Sequence, residues 1–267
     1  MKHLDKWIGG PYIWISDPNN KWIGDPIDAT LARERQQTPR PTRNEMSLGK
    51  PARNTNMSTV SIIGSGGMAA AIASLAVKAG HTVELMARDT AKARTLADAL
   101  GAGATTGTFA ATPARDIVIL AVPYTAVLDI VKHYGEKLSD KILIDITNPI
   151  KSDFSGFLTA ADSFGAQEIA KAAPADTEIV KAFNTLNAHV LAAGPVEGHP
   201  VDVFIAGDGA QAKARVSVFV ESLGLRSMDA GPLSMARALE HACMLVLGLV
   251  THAVKHTNFS IGVKLLD

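Results

Sequence analysis

Three glycines, Gly64, Gly66 and Gly67, stand in the string SIIGSGGMA at 61–69, where an apolar run gives way to residues at helical spacing. That order suits an anion. Gly64 allows a tight turn after a strand, Gly66 leaves the backbone bare enough to approach phosphate oxygens, and Ala69 lets the following helix pack closely on the strand. Ser65, Met68 and the glycines between them then form the first turn of a helix, whose free N–H groups face a negative charge. The chemistry predicted here is capture of a pyrophosphate, and hence of a dinucleotide.

A second set of residues follows the next apolar run and bears on which dinucleotide that is. Ala87, Arg88, Asp89 and Thr90 are followed by Lys92, so two cations lie about one helical turn apart. A carboxylate at this place binds a ribose 2′-hydroxyl, whereas an arginine accommodates a 2′-phosphate through a charge-assisted fork. Arg88 and Lys92 therefore predict NADP over NAD. Asp89 leaves two alternatives open, pairing with Arg88 or binding a ribose itself.

Ligands of open α/β sheets lie beyond the carboxyl ends of the strands. The residues leaving three later strands are Val122, Pro123 and Tyr124; Thr147, Asn148 and Pro149; and Phe183, Asn184 and Thr185. Pro123 and Pro149 offer rigid edges for a planar nicotinamide. Asn148 and Asn184 offer amide donors and acceptors to a carboxamide or a flavin-like edge. Both asparagines equally suit turns and helix caps. No Ser/His/Asp set or carboxylate pair is evident, so no catalytic acid or base is assigned. His241, His252 and His256 share a helical face, but no cysteine or carboxylate completes a metal set, and no metal site is predicted.

These residues need elements to position them. The run at 60–63 lacks the alternation of a half-exposed strand and predicts a strand of a parallel sheet. A helix follows to about 79, then a strand at 82–87, giving a βαβ unit. A helix at 90–100, capped by Asp89 or Thr90, precedes strands at 116–123 and 141–145 with a helix at 124–134 between them. A helix at 166–173, strands at 178–183 and 201–206, a helix at 210–223, a strand at 226–229 and a long helix at 234–256 complete the chain. Alternation of this kind predicts an α/β fold, a doubly wound, mainly parallel Rossmann sheet with a small helical C-terminal part. Residues 57–190 are assigned to the dinucleotide-binding domain, and 191–267 to a smaller portion completing the sheet and a second-substrate pocket.

Residues 1–56 differ from the rest. All three tryptophans, Trp7, Trp14 and Trp22, fall there, and 33–53 is basic and poor in large apolar residues. This predicts a disordered or non-native extension, with a tryptophan-bearing partner arm as the alternative. The formal net charge is zero, so nothing suggests nucleic acid as a partner. The single cysteine, Cys243, fits a core thiol in a reduced compartment. No charge-free apolar stretch reaches the length of a membrane span, and a cytoplasmic protein without membrane contact is the expectation, with a homodimer as its candidate assembly.

The strings at 61–68, 87–89, 118–124, 144–149 (IDITNP), 180–185 (VKAFNT) and 230–233 together resemble the coenzyme F420-dependent NADP oxidoreductase family and its NADPH-dependent reductase relatives. The likeness runs from Met57 nearly to the end, and the first segment has no counterpart in it. It implies NADP on the Rossmann half and hydride transfer to a small-molecule redox carrier, coenzyme F420 or a flavin-like ring. Some relatives resemble ferric or flavin reductases. Imine reductases share the glycine motif but carry a large helical domain for which only the last helix could serve here. A non-catalytic NADP sensor is the alternative from another class.

Overall fold

The apolar run at 60–63 lies within β3 (Thr59–Ile63), an inner strand of an eight-stranded sheet. The computed structural model describes residues 15–16, 22–23, 59–194 and 201–266. The chain divides into two units, Met1–Asn54 and Thr55–Asp267. In the first, β1 (Ile15–Ser16) pairs antiparallel with β2 (Trp22–Ile23). The rest of the proposed extension, including Trp7 and Trp14, lies outside the described residues.

In the second unit, β3 is followed by α1 (Gly67–Lys78), β4 (Thr82–Met86), α2 (Thr90–Leu100), β5 (Ala104–Gly107), β6 (Ile117–Leu120) and α3 (Tyr124–Tyr134). Then come β7 (Ile142–Asp145), α4 (Gly165–Ala172), β8 (Glu178–Lys181), α5 (Ala188–Ala193), β9 (Asp202–Gly207), α6 (Ala210–Ser222), β10 (Arg226–Asp229) and α7 (Ala236–Leu249). Across the sheet the order is β10-β9-β8-β7-β6-β3-β4-β5. Every neighbouring pair is parallel except β8 and β9. The doubly wound, mainly parallel sheet is therefore as expected.

Both faces of the sheet are covered, which explains why its strands lack polar alternation. Val60, Ile62, Ile117 and Ile119 point into a core built with α1, α2, α5 and α6. Ile63, Val118 and Leu120 point the other way, against α3 and α4. Edge strand β5, with the sequence ATTG, escaped the sequence reading because it has no large apolar residue and its threonines are exposed. The residue-190 boundary falls within α5, and chain on both sides of it contributes to one sheet.

The last helix bears on the expectation that no charge-free stretch is long enough to span a membrane. With the flanking turns, Leu233–Val254 forms one 22-residue helix whose most apolar 18-residue stretch has a mean hydropathy of 1.5, long and apolar enough to cross a membrane by length and composition. The charge-free criterion excluded it because Arg237 and Glu240 interrupt the run. Glu240 is buried against Lys181, and part of the helix packs on α4 and β9.

Candidate functional site

Strand β3 lies between β4 and β6, the place where strand order reverses and where a crevice opens at the carboxyl ends. Gly64 follows β3 with φ +133°, and a Cβ there would sit 2.1 Å from the Ala121 carbonyl oxygen. Only glycine fits. Its N–H donates to the Met86 carbonyl at 2.9 Å, while Ala121 N–H donates to the Ile63 carbonyl at 2.9 Å. The turn is thereby locked to both neighbouring strands. Gly66 caps α1 in extended conformation, and a Cβ there would meet nothing within 4 Å. The difference matters, since Gly64 serves the fold whereas Gly66 leaves open space over the helix start. No side chain caps α1, so the amides of its first turn remain available to an anion.

The open space is a groove in two joined parts. One, about 250 Å³, is lined by Gly64, Ser65, Gly66, Ala87, Arg88, Asp89, Lys92, Val122 and Pro123, with Phe109 and Ile130 among the rest. The other, about 450 Å³, runs from Gly66, Gly67 and Met68 past Val122, Pro123 and Tyr124 to Thr147 and Asn148. Gly66, Ala121, Val122 and Pro123 belong to both. The two parts therefore form one trough leading from a cationic end to an amide-bearing end.

At the cationic end the three charged residues have different engagements. Asp89 caps α2, accepting from Lys92 N–H at 3.0 Å, and its carboxylate lies 3.4 Å from Lys92 Nζ. Chiefly the backbone hydrogen bond from Lys92 holds its pKa below the ordinary 3.8. Asp89 is thus a helix cap, and it pairs with Lys92 rather than Arg88. Arg88 is exposed and has no hydrogen-bond or ion-pair partner among the described residues, which leaves its guanidinium available at the groove.

At the other end, Tyr124 lines the groove, and burial, followed by the carboxylates of Glu168, Glu240 and Asp145, raises its hydroxyl well above the ordinary value. It stays protonated and can donate. Asn148 and Asn184 bond reciprocally: Asn148 Nδ2 donates to the Asn184 carbonyl at 2.8 Å, and Asn184 Nδ2 donates to Asn148 Oδ1 at 2.9 Å. Asn184 Nδ2 also donates to the Leu239 carbonyl at 2.9 Å. Both Asn184 donors are therefore used. Asn184 Oδ1 is buried without a partner among the described residues.

Three residues expected to touch the cofactor sit behind the groove. Pro149, Phe183 and Asn184 are buried and do not line the groove. Phe183 lies in the left-handed region at φ +58°, a costly conformation for a bulky residue, and turns the chain out of β8. The strands expected at 116–123 and 178–183 end earlier, at Leu120 and Lys181, so the exits lie where expected only to within three residues.

Sequence reasoning missed the charges beneath Thr147. Lys181 Nζ donates to Asp145 Oδ2 at 2.8 Å, Glu240 Oε1 at 2.9 Å and the Thr147 carbonyl at 2.6 Å, all buried. Burial opposes the ammonium charge, but the two facing carboxylates outweigh it and keep the Lys181 pKa raised. The available signal was a lysine and an aspartate ending two adjacent apolar strands, where an unpaired charge would be very costly. One turn along α7, burial pushes the Cys243 thiol up to about 11, so it stays protonated. Among the described residues no three His, Cys, Asp or Glu side chains gather as a metal site.

Comparison with known proteins agrees with this architecture. Residues 59–149 match the family model described as NADP oxidoreductase coenzyme F420-dependent. The chain is 31% identical over 142 residues to an F420-dependent NADP reductase of Methanothermobacter marburgensis, covering 50% of this chain and 62% of that one. Over residues 59–149 the chain is thus similar to the coenzyme F420-dependent NADP oxidoreductases. The chain is also 32% identical over 184 residues to the metalloreductase STEAP3 of Rattus norvegicus, covering 68% of this chain and 35% of that one. It thus spans about a third of one relative and about three fifths of the other. Among solved structures, a hypothetical protein from Sinorhizobium meliloti aligns with TM-score 0.61 and 31% identity, covering 67% of this chain and 87% of that one. A candidate F420-dependent NADP reductase from Arthrobacter sp. FB24 aligns with TM-score 0.67 and 24% identity over 76% and 99% of the two chains, which speaks to the fold.

Proposed function

We propose that this chain is an NADP-dependent oxidoreductase that passes hydride between NADP(H) and a small planar redox carrier of the deazaflavin class. The observation that carries the reading is the single trough running from Arg88, over the bare helix start at Gly66, to Thr147 and Asn148. Its residues fit the dinucleotide. The open position at Gly66 and the first-turn amides of α1 would hold the pyrophosphate, and the unpaired Arg88 would hold a 2′-phosphate. Val122 and Pro123 supply an apolar wall for a ring, and Tyr124 supplies a protonated hydroxyl donor. Behind the groove, the buried Asn184 Oδ1 is an acceptor suited to a water.

The dinucleotide supplies the hydride chemistry when bound, so the protein's task is to bind, orient and exclude water. No protein acid or base is required at the reacting carbons. A second acceptor, a metal ion delivered as a chelate, is favoured by the 32% identity to the metalloreductase. Both readings share the dinucleotide and differ only in what receives the electrons.

The test is anaerobic turnover of NADPH with oxidised deazaflavin, free flavin and a ferric chelate, followed by nicotinamide absorbance. The expected result is fastest oxidation with the deazaflavin. Faster reduction of the ferric chelate would favour the second acceptor, and tight NADPH binding without turnover on any acceptor would leave a sensor.

A further inference from the structure

Lys181 ends β8 and Asp145 ends β7, and the two are paired in register across the sheet. Between them they hold every polar group of Thr147. Asp145 Oδ1 accepts from Thr147 N–H at 2.8 Å and from its hydroxyl at 2.7 Å, while Lys181 Nζ donates to its carbonyl at 2.6 Å. Thr147 and Asn148 form the far edge of the trough.

The same edge is tied to α7 by two routes. Glu240 takes Lys181 on Oε1, and its two oxygens also accept the N–H groups of Gly165 and Ala166 at 3.0 and 3.1 Å, at the start of α4. Leu239, the preceding residue, takes Asn184, which is bonded to Asn148. Neighbouring residues of one helix thus hold neighbouring residues of the groove. The network is saturated, since all three ammonium hydrogens of Lys181 are used and the surplus carboxylate charge faces backbone donors. Stability alone is a weak reason for such a cluster, because a buried ion triad replaced by neutral groups of similar shape often leaves a protein equally stable.

We infer that Lys181, clamped by Asp145 and Glu240, is a positioning residue that fixes the Thr147–Asn148 edge of the trough and makes that edge depend on the seating of α7. The inference rests on the proposed reading of the trough as the nicotinamide end of an oxidoreductase site. Displacement of reacting groups by about 1 Å can cost about a hundredfold in rate, so a loosened edge is visible in turnover.

The test compares the full-length wild type with the neutral triple variant Asp145→Asn/Lys181→Met/Glu240→Gln and with Glu240→Gln alone. Three readouts are taken: NADPH affinity by titration, kcat and acceptor KM with oxidised deazaflavin, and amide exchange at Thr147 and Asn148 against the β3 and β6 amides. The triple variant is expected to retain its circular dichroism spectrum while kcat falls about ten- to a hundredfold and exchange at Thr147 and Asn148 accelerates selectively. A folded triple variant with unchanged kcat and exchange would overturn the inference. Should the triple variant not fold, Glu240→Gln decides: selective acceleration at Thr147 supports positioning, and either no change or a uniform rise across the sheet overturns it. If the wild type does not bind NADPH, the reading of the trough fails. Wild-type binding and turnover with unaffected variants would remove only the role of Lys181.

Discussion

Replacing Gly66 with valine separates ligand binding from folding. The position has ordinary extended backbone at φ −85° and ψ −174°, and a Cβ there would meet nothing within 4 Å. Valine is a poorer N-cap than glycine, a change that costs about 1 kcal/mol and lowers the melting temperature by about 2–4 °C in a chain of this size. The branched side chain would occupy the open space above the first turn of α1, where phosphate oxygens would approach the amides. Charge-assisted hydrogen bonds contribute about 1.5–3 kcal/mol each, so losing two raises Kd more than about a hundredfold. Calorimetric titration with NADPH, beside a thermal melt of the same preparation, measures both effects. A well-folded variant with wild-type NADPH affinity would refute the placement of the pyrophosphate.

Other perturbations distinguish neighbouring residues. Arg88→Ala should weaken NADPH by about 1.5–3 kcal/mol while barely changing NADH, the loss shrinking as salt screens the phosphate; equal losses for both nucleotides in titrations at two salt concentrations would withdraw the NADP assignment. Gly64→Ala should destabilise the fold by at least about 1–3 kcal/mol, because φ is +133° and the new Cβ meets the Ala121 carbonyl, and an unchanged denaturation midpoint would contradict that reading. Asp202 accepts from Arg226 Nε at 2.5 Å and from Val263 N–H at 2.7 Å, and chiefly the Arg226 hydrogen bond lowers its pKa below 3.8. A depressed carboxylate stabilises fully above its unfolded pKa and loses that contribution as pH falls through its folded one. Wild type should therefore exceed Asp202→Asn in unfolding midpoint near neutrality, with the gap closing below about pH 3.8; a gap independent of pH would count against the ion pair.

The strands buried on both faces were legible because their apolar runs are continuous, and the glycine turn was legible because its spacing has a steric meaning. Strand β5 was not, since ATTG owes its place to pairing with β4 rather than to any pattern of its own. The cationic end of the trough was readable from Arg88 and Lys92, and Asp89 is the cap of α2, one of the two residues expected there, while its pairing with Lys92 rather than Arg88 was not legible. At the amide end, local sequence placed the strand exits to within three residues and could not rank the residues around them. Asn148 lines the trough while Asn184, which follows the left-handed Phe183, stands behind it. Glu240 lies 59 residues from Lys181 in sequence, and only the folded sheet brings it to the cluster.

Hydride transfer itself can be followed with NADPH carrying deuterium on the reacting face of its nicotinamide, mixed anaerobically with the full-length protein and oxidised deazaflavin. The expected result is NADP and reduced deazaflavin in equal amounts, with the label transferred directly to the deazaflavin ring. NADPH left intact, or oxidised with its label washed into solvent, would contradict it.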